Sequence, residues 1–153
     1  MNNKDQIIAK GTVILKLYDS GSLQPKKTVT VKNMIVNGGL DFFIMKAADI
    51  TTDTLEKIGI SNGSTAVTLN DTTLADPYDD AEYSNIRFKS KTDTGEILLE
   101  AVFVAGQFIG TINEIGLFSS NDIMIARTII PEDQLFEKTE DDFLSVMWKI
   151  KLG

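Results

Sequence analysis

The ten residues Phe143 to Leu152 constrain the fold more than any other stretch. Leu144, Val146, Trp148, Ile150 and Leu152 alternate with Ser145, Met147, Lys149 and Lys151. A period of two places alternate side chains on opposite faces of an extended strand, so one face is apolar and the other polar. A strand of this kind needs paired neighbours for its backbone and a second layer over its apolar face.

The same alternation recurs along the chain. Thr12 to Tyr18 sets Val13, Leu15 and Leu17 on one side, and Thr28 to Lys32 sets Val29 and Val31 inward. Asp19-Ser20-Gly21-Ser22 between them has turn chemistry, so the two runs read as a hairpin with Pro25 near the loop or at an edge. Further strands are expected at Lys57 to Ser61, Ser84 to Lys89 (Ile86 and Phe88 together), Glu96 to Ala105, Ile109 to Phe118 and Asp122 to Ile130. In Glu96 to Ala105 both faces are apolar, which predicts cover on both sides. Asn62 to Pro77 is rich in Asn, Asp, Thr and Gly and reads as a long surface excursion. Pro131 to Asp142 reads as an acidic loop. One helix is expected near residues 40–49, because Leu40, Phe43, Ile44 and Ala47 have helical spacing and Asn37 or a nearby glycine can cap the start. Seven or eight strands at this spacing predict a mostly β fold, an antiparallel β-sandwich of jelly-roll-like type with that one short α-helix. The expected division is an extended N-terminal arm, residues 1–9, and one sandwich domain, residues 10–153.

At 153 residues the chain can bury a sizeable core without a disulfide or metal, and it has no cysteine. It has no histidine either, which removes the commonest general base and transition-metal ligand. Phosphate-binding and nucleophile-elbow glycine motifs are absent, so a non-enzymatic protein is expected, with no catalytic residues, no cofactor and no small-molecule substrate. The formal net charge of −7 opposes binding to nucleic acid or anionic membrane. The basic clusters, Lys26-Lys27 with Lys32 and Arg87 with Lys89 and Lys91, read as solvated strand faces. The N-terminus lacks a signal-like apolar stretch, and no run reaches membrane-spanning length, so synthesis as a soluble chain is expected. Asp71, Asp76, Asp79, Asp80 and Glu82 crowd one region without the EF-hand spacing. They read as a solvated acidic loop, and a hard cation is the alternative.

Glu114 lies in Ile112-Asn113-Glu114-Ile115-Gly116-Leu117-Phe118, where a charge among apolar residues requires a partner. Arg87 and Arg127 are the only arginines, and either can pair with it through two hydrogen bonds. Gly59 and Gly116 sit inside strand patterns, which predicts a bulge or the close approach of another backbone. Gly63 is expected in a turn with positive φ.

Lys57-Ile58-Gly59-Ile60-Ser61-Asn62-Gly63-Ser64-Thr65-Ala66 leads into Asn70-Asp71-Thr72-Thr73-Leu74, and Glu114-Ile115-Gly116-Leu117-Phe118 and Ala126-Arg127 follow. Upstream stands Asn33-Met34-Ile35-Val36-Asn37-Gly38-Gly39-Leu40. This order resembles the small β-sandwich virion structural proteins of tailed bacteriophages, namely tail-collar fibre N-terminal domains and head-fibre or capsid-surface proteins. Ser61 departs from the pattern, in which a second glycine is usual. The resemblance implies structural roles for Gly59, Gly63, Asp71, Leu74, Glu114, Gly116 and Arg127. It also implies a virion location after synthesis in the host bacterial cytoplasm. The implied partners are other copies of the chain, as a trimer or ring, and other virion proteins. A tail, collar, baseplate or fibre-attachment subunit is the expected role. Capsid decoration or head fibre is the first alternative, and a stand-alone carbohydrate or host-surface binding module the second. Ile7 and Ile8, in the arm, are the expected interface residues.

Overall fold

A computed structural model of the chain describes residues 9–76 and 79–152. Strands β1 (Ala9–Tyr18) and β2 (Lys27–Ile35) form the expected hairpin, with Val13 opposite Val31 and Leu15 opposite Val29. Helix α1 (Asn37–Ala47) follows. Next come β3 (Leu55–Ser61), β4 (Glu82–Asn85), β5 (Phe88–Asp93), β6 (Glu96–Phe103), β7 (Gly110–Ile112) and β8 (Glu114–Ser119). The set ends with β9 (Met124–Ile129), β10 (Phe136–Lys138) and β11 (Phe143–Leu152). The fold is mostly β and antiparallel, with one α-helix among the described residues.

A nine-stranded sheet runs in the order β4-β3-β8-β9-β2-β1-β11-β6-β5, and β7 pairs with β10 separately. The two end strands of the large sheet are consecutive in the chain, joined through Ile86 and Arg87. The Ile86 N–H donates to the Glu56 carbonyl at 2.7 Å, and the Arg87 N–H donates to the Glu100 carbonyl at 2.9 Å. One short stretch therefore touches both ends of the sheet, and the sheet must curl on itself. Its two halves face each other as the layers of a sandwich.

The core lies between those halves. β11 is central, paired with β1 on one side and β6 on the other, so Trp148 is flanked by Val13 and Leu99, and Val146 by Leu15 and Ala101. Leu144, Val146, Trp148 and Ile150 are buried, as the alternation requires, whereas Leu152 is exposed at the strand end. Each such large side chain contributes roughly 1.5–3 kcal/mol by leaving water.

Several sequence expectations are corrected. The helix starts at Asn37, and its buried residues are Gly39 and Phe42 rather than a Leu40–Ile44 stripe. Leu40 and Ile44 are exposed, and Phe43 is half-buried. The cause is close docking on β9: a Cβ on Gly39 would lie 2.1 Å from the Ile125 carbonyl oxygen. The Gly38-Gly39 pair is thus the contact face of the first turn. No side chain caps that turn; Asn37 instead donates from Nδ2 to Asn70 Oδ1 at 2.9 Å. The single strand expected at 84–89 is two, because the chain changes partner from β3 to β6 at Ile86-Arg87, which leaves Phe88 exposed. The strand expected at 109–118 is likewise two, β7 and β8. The 131–142 segment is more than a loop, since it contains a short 3-10 turn at Glu132–Gln134 and β10. In β6 the second face is only partly covered: Val102 is buried and Leu98 half-buried, and Val104 lies exposed beyond the strand. At the N-terminus, β1 already begins at Ala9, within the bounds of the expected arm. Ile7 and Ile8 lie outside the described residues.

Candidate functional site: a charged clasp beneath the 62–76 loop

β3, β8 and β9 lie side by side, with Gly59 opposite Gly116 and Gly116 opposite Arg127. The 62–76 segment has no regular strand or helix, and it returns over this part of the sheet. Its own backbone polar groups need partners. Glu114 and Arg127 supply them.

Arg127 is 1% exposed and Glu114 0%. Arg127 donates from Nε to Glu114 Oε2 at 2.7 Å, and its Nη2 lies 2.6 Å from the same oxygen. Nη2 also donates to the Thr65 carbonyl at 2.7 Å, while Nη1 donates to the Ala66 carbonyl at 3.4 Å and to Asp71 Oδ2 at 2.8 Å. The guanidinium thus spends its whole fork of donors on one carboxylate pair and two loop carbonyls. Glu114 completes the arrangement, accepting from the Ala75 N–H at 3.0 Å and from the Ser61 hydroxyl. The Ser61 oxygen in turn accepts from the Gly63 N–H at 3.0 Å.

Asp71 ties the middle of the loop. Its carboxylate accepts from the Thr68 N–H and hydroxyl, each at 2.9 Å, as well as from Arg127. Burial pushes the Asp71 carboxyl up, but the Thr68 donors and the Arg127 guanidinium outweigh it and hold the group below the usual carboxylate range.

The glycines make room for this loop. A Cβ on Gly63 would lie 2.0 Å from the Ala75 carbonyl oxygen and 2.3 Å from Glu114 Oε1. Gly63 is not among the positive-φ glycines, so crowding rather than turn conformation demands it, a correction to the expected turn. Over the Gly59–Gly116 pair the close neighbours are side chains rather than another backbone. The Tyr83 ring and Leu74 lie over Gly59, and Leu74 and the Phe118 ring lie over Gly116. Tyr83 and Phe118 meet edge to face with centroids 5.5 Å apart.

Gly59, Gly63, Asp71, Leu74, Glu114, Gly116 and Arg127 therefore meet in one cluster. Arg87 stands apart, exposed and paired with Glu100 at 2.9 Å. Sequence reasoning missed Ser61, whose hydroxyl serves both Glu114 and the loop, and missed Tyr83 as the cover for Gly59. The departure of Ser61 from the resembled pattern was the available signal. The acidic residues do not converge as a metal would require: among the described residues no group of three or more carboxylates is placed to hold an ion. Asp71 is drawn to Arg127, while Asp80 accepts from Asn62 and Asp76 from the Ala81 N–H. Chemically the cluster is a fastener, with both carboxylates engaged by protein donors.

No protein-family model, curated protein or solved structure matches this chain.

Proposed function

We propose that this chain is a virion structural protein of a tailed bacteriophage, a non-enzymatic assembly subunit of the tail, collar, baseplate or fibre attachment. The observation that carries the reading is the convergence of the resembled motifs. Those downstream of Asn33–Leu40 are scattered from Gly59 to Arg127 in the sequence, yet they join into one clasp that fixes a long loop on a sheet. A motif set that coheres physically supports a shared fold and not only a chance match of short words. A rigid loop on a curled sheet suits a subunit that presents a fixed surface to neighbours. The outer face of α1 supports association as well, since Leu40 and Ile44, one helical turn apart, are both exposed.

Particle composition and solution mass test the proposal. An antibody to this chain should decorate purified tailed particles in electron micrographs at one defined location. The isolated protein should show a discrete oligomer by light scattering, and Leu40→Glu with Ile44→Glu should reduce that mass while leaving Tm almost unchanged. Antigen confined to the soluble lysate, with a monomer in solution, would refute the reading.

A further inference from the structure

The curled sheet closes at Ile86 and Arg87 but splays beyond them. β4 pairs with β3 only over Lys57 to Ile60, so Leu55 at the start of β3 lies beyond that pairing. In the splay lies a groove of about 380 Å³ between α1, the start of β3 and the β5–β6 pair. Its walls are apolar: Phe42 and Phe43 from the helix, Leu55, and Ile97 and Leu99 from β6.

Three lysines line it as well, Lys46, Lys89 and Lys91. Lys89 stands opposite Leu99, and Lys91 opposite Ile97, so both lysines are on the inner, groove-side face of β5. Lys46 donates to the Asp53 carbonyl at 2.5 Å. Lys89 and Lys91 make no ion pair among the described residues. In a chain of net charge −7, an apolar groove flanked by two unpaired ammonium groups is a local reversal of sign. β5 is also an end strand, paired with β6 alone, so one side of its backbone is open.

We infer that this groove docks an extended segment of a partner protein that adds a strand to β5. The segment carries two carboxylates two residues apart, flanked on the same face by aliphatic residues. Main-chain hydrogen bonds to the open edge supply affinity, and same-face side chains supply specificity. Carboxylates two residues apart share one face of a strand, as Lys89 and Lys91 do, and so can stand opposite them. The flanking aliphatic side chains then reach Phe43 and Leu55. Inward lysines also serve to guard an edge against unwanted pairing. That reading predicts no acidic ligand at all. The inference stands independently of the virion proposal.

The probe is a fluorescein-labelled, end-blocked peptide of sequence Ile-Thr-Glu-Thr-Glu-Thr-Ile, titrated with the full chain and read by fluorescence anisotropy. Saturable binding is expected, together with slowed amide exchange across Phe88–Asp93. Lys89→Glu with Lys91→Glu should weaken binding about tenfold, since two exposed ion pairs are each replaced by a repulsion. Both lysines are exposed, so that variant should keep the parent Tm. A peptide with Lys for Glu, or with Gly for Ile, should bind much more weakly. Failure of the acidic peptide to bind overturns the inference and leaves edge protection as the role of the lysines. Equal binding by the charge-reversed variant, or binding of oleate where the peptide does not bind, overturns it too. The oleate result would mark a pocket for a small amphiphile.

Discussion

Replacing Glu114 by alanine should destabilise the protein more than any other single change in the clasp. The side chain is fully buried and is the acceptor for Arg127, the Ala75 N–H and the Ser61 hydroxyl. Truncation strands those donors and leaves a buried guanidinium with Asp71 as its one remaining carboxylate. Breaking a buried pair in this way costs about 3–5 kcal/mol. For a chain of this size that lowers Tm by about 12 °C. Glu114→Gln keeps an oxygen for Arg127 and Ala75 but removes the charge, so a loss of about 2 kcal/mol is expected. Trp148, the chain's one tryptophan, is fully buried and reports unfolding in urea by fluorescence. The double variant Glu114→Leu with Arg127→Met removes both charges together and should recover most of the global stability. It should not recover the loop, because the carbonyls of Thr65 and Ala66 and the Ala75 N–H lose their partners. Amide exchange over residues 62–76 should therefore accelerate in a protein whose urea midpoint is nearly normal. A loss under about 1 kcal/mol for Glu114→Ala, the size of a surface pair, would refute the reasoning. So would undiminished loop protection in the double variant.

Gly63→Ala should cost about 3 kcal/mol in urea unfolding, near the upper end for overpacking, because two of the three nearest atoms its Cβ meets are backbone. Stability should fall on acidification. Burial raises Asp53 and Asp142, but serine and backbone donors outweigh it at Asp53, and Lys26 and Thr139 outweigh it at Asp142, so both are held low like Asp71. A depressed folded value means stability that is fully present above the unfolded value of about 3.9 and is lost as pH falls through the folded values. Tm measured downward from pH 5 should drop, and Asp142→Asn should flatten the drop. Burial pushes the Lys138 ammonium down, although it donates to the Val104 carbonyl at 2.9 Å. The unfolded state then binds more protons between the lowered value and the ordinary one, so stability contributed by this residue rises with pH through that interval. Lys138→Met should abolish that alkaline rise in the urea midpoint; a rise of equal size in the variant would assign it to another group.

The strands of the core were legible because a period of two survives any arrangement of the sheet. Val13, Leu15 and Leu17 and the series Leu144 to Ile150 lie inward as their alternation requires. The helix was legible in kind but not in orientation. Two of its large apolar residues, Leu40 and Ile44, face outward, since contact distance to β9 is set by Gly38 and Gly39, which carry no hydrophobic signal. The charged pair was half legible. Glu114 in apolar company demanded an arginine, but choosing Arg127 over Arg87 required knowing that β8 pairs with β9.

Sequence by itself determined a mostly β chain, the inward face of its central strands, and the need for a partner at Glu114. Those follow from local periodicity and from the penalty for an unpaired buried charge. Tertiary structure alone decided that one short segment, Ile86-Arg87, joins both ends of the sheet. It alone decided that Gly63 is needed for space rather than for φ, and that Lys89 and Lys91, exposed as expected, stand beside an apolar groove. The physical reason is common to all three: strand pairing and close approach are relations between residues far apart in the chain, and no local pattern encodes which surfaces meet.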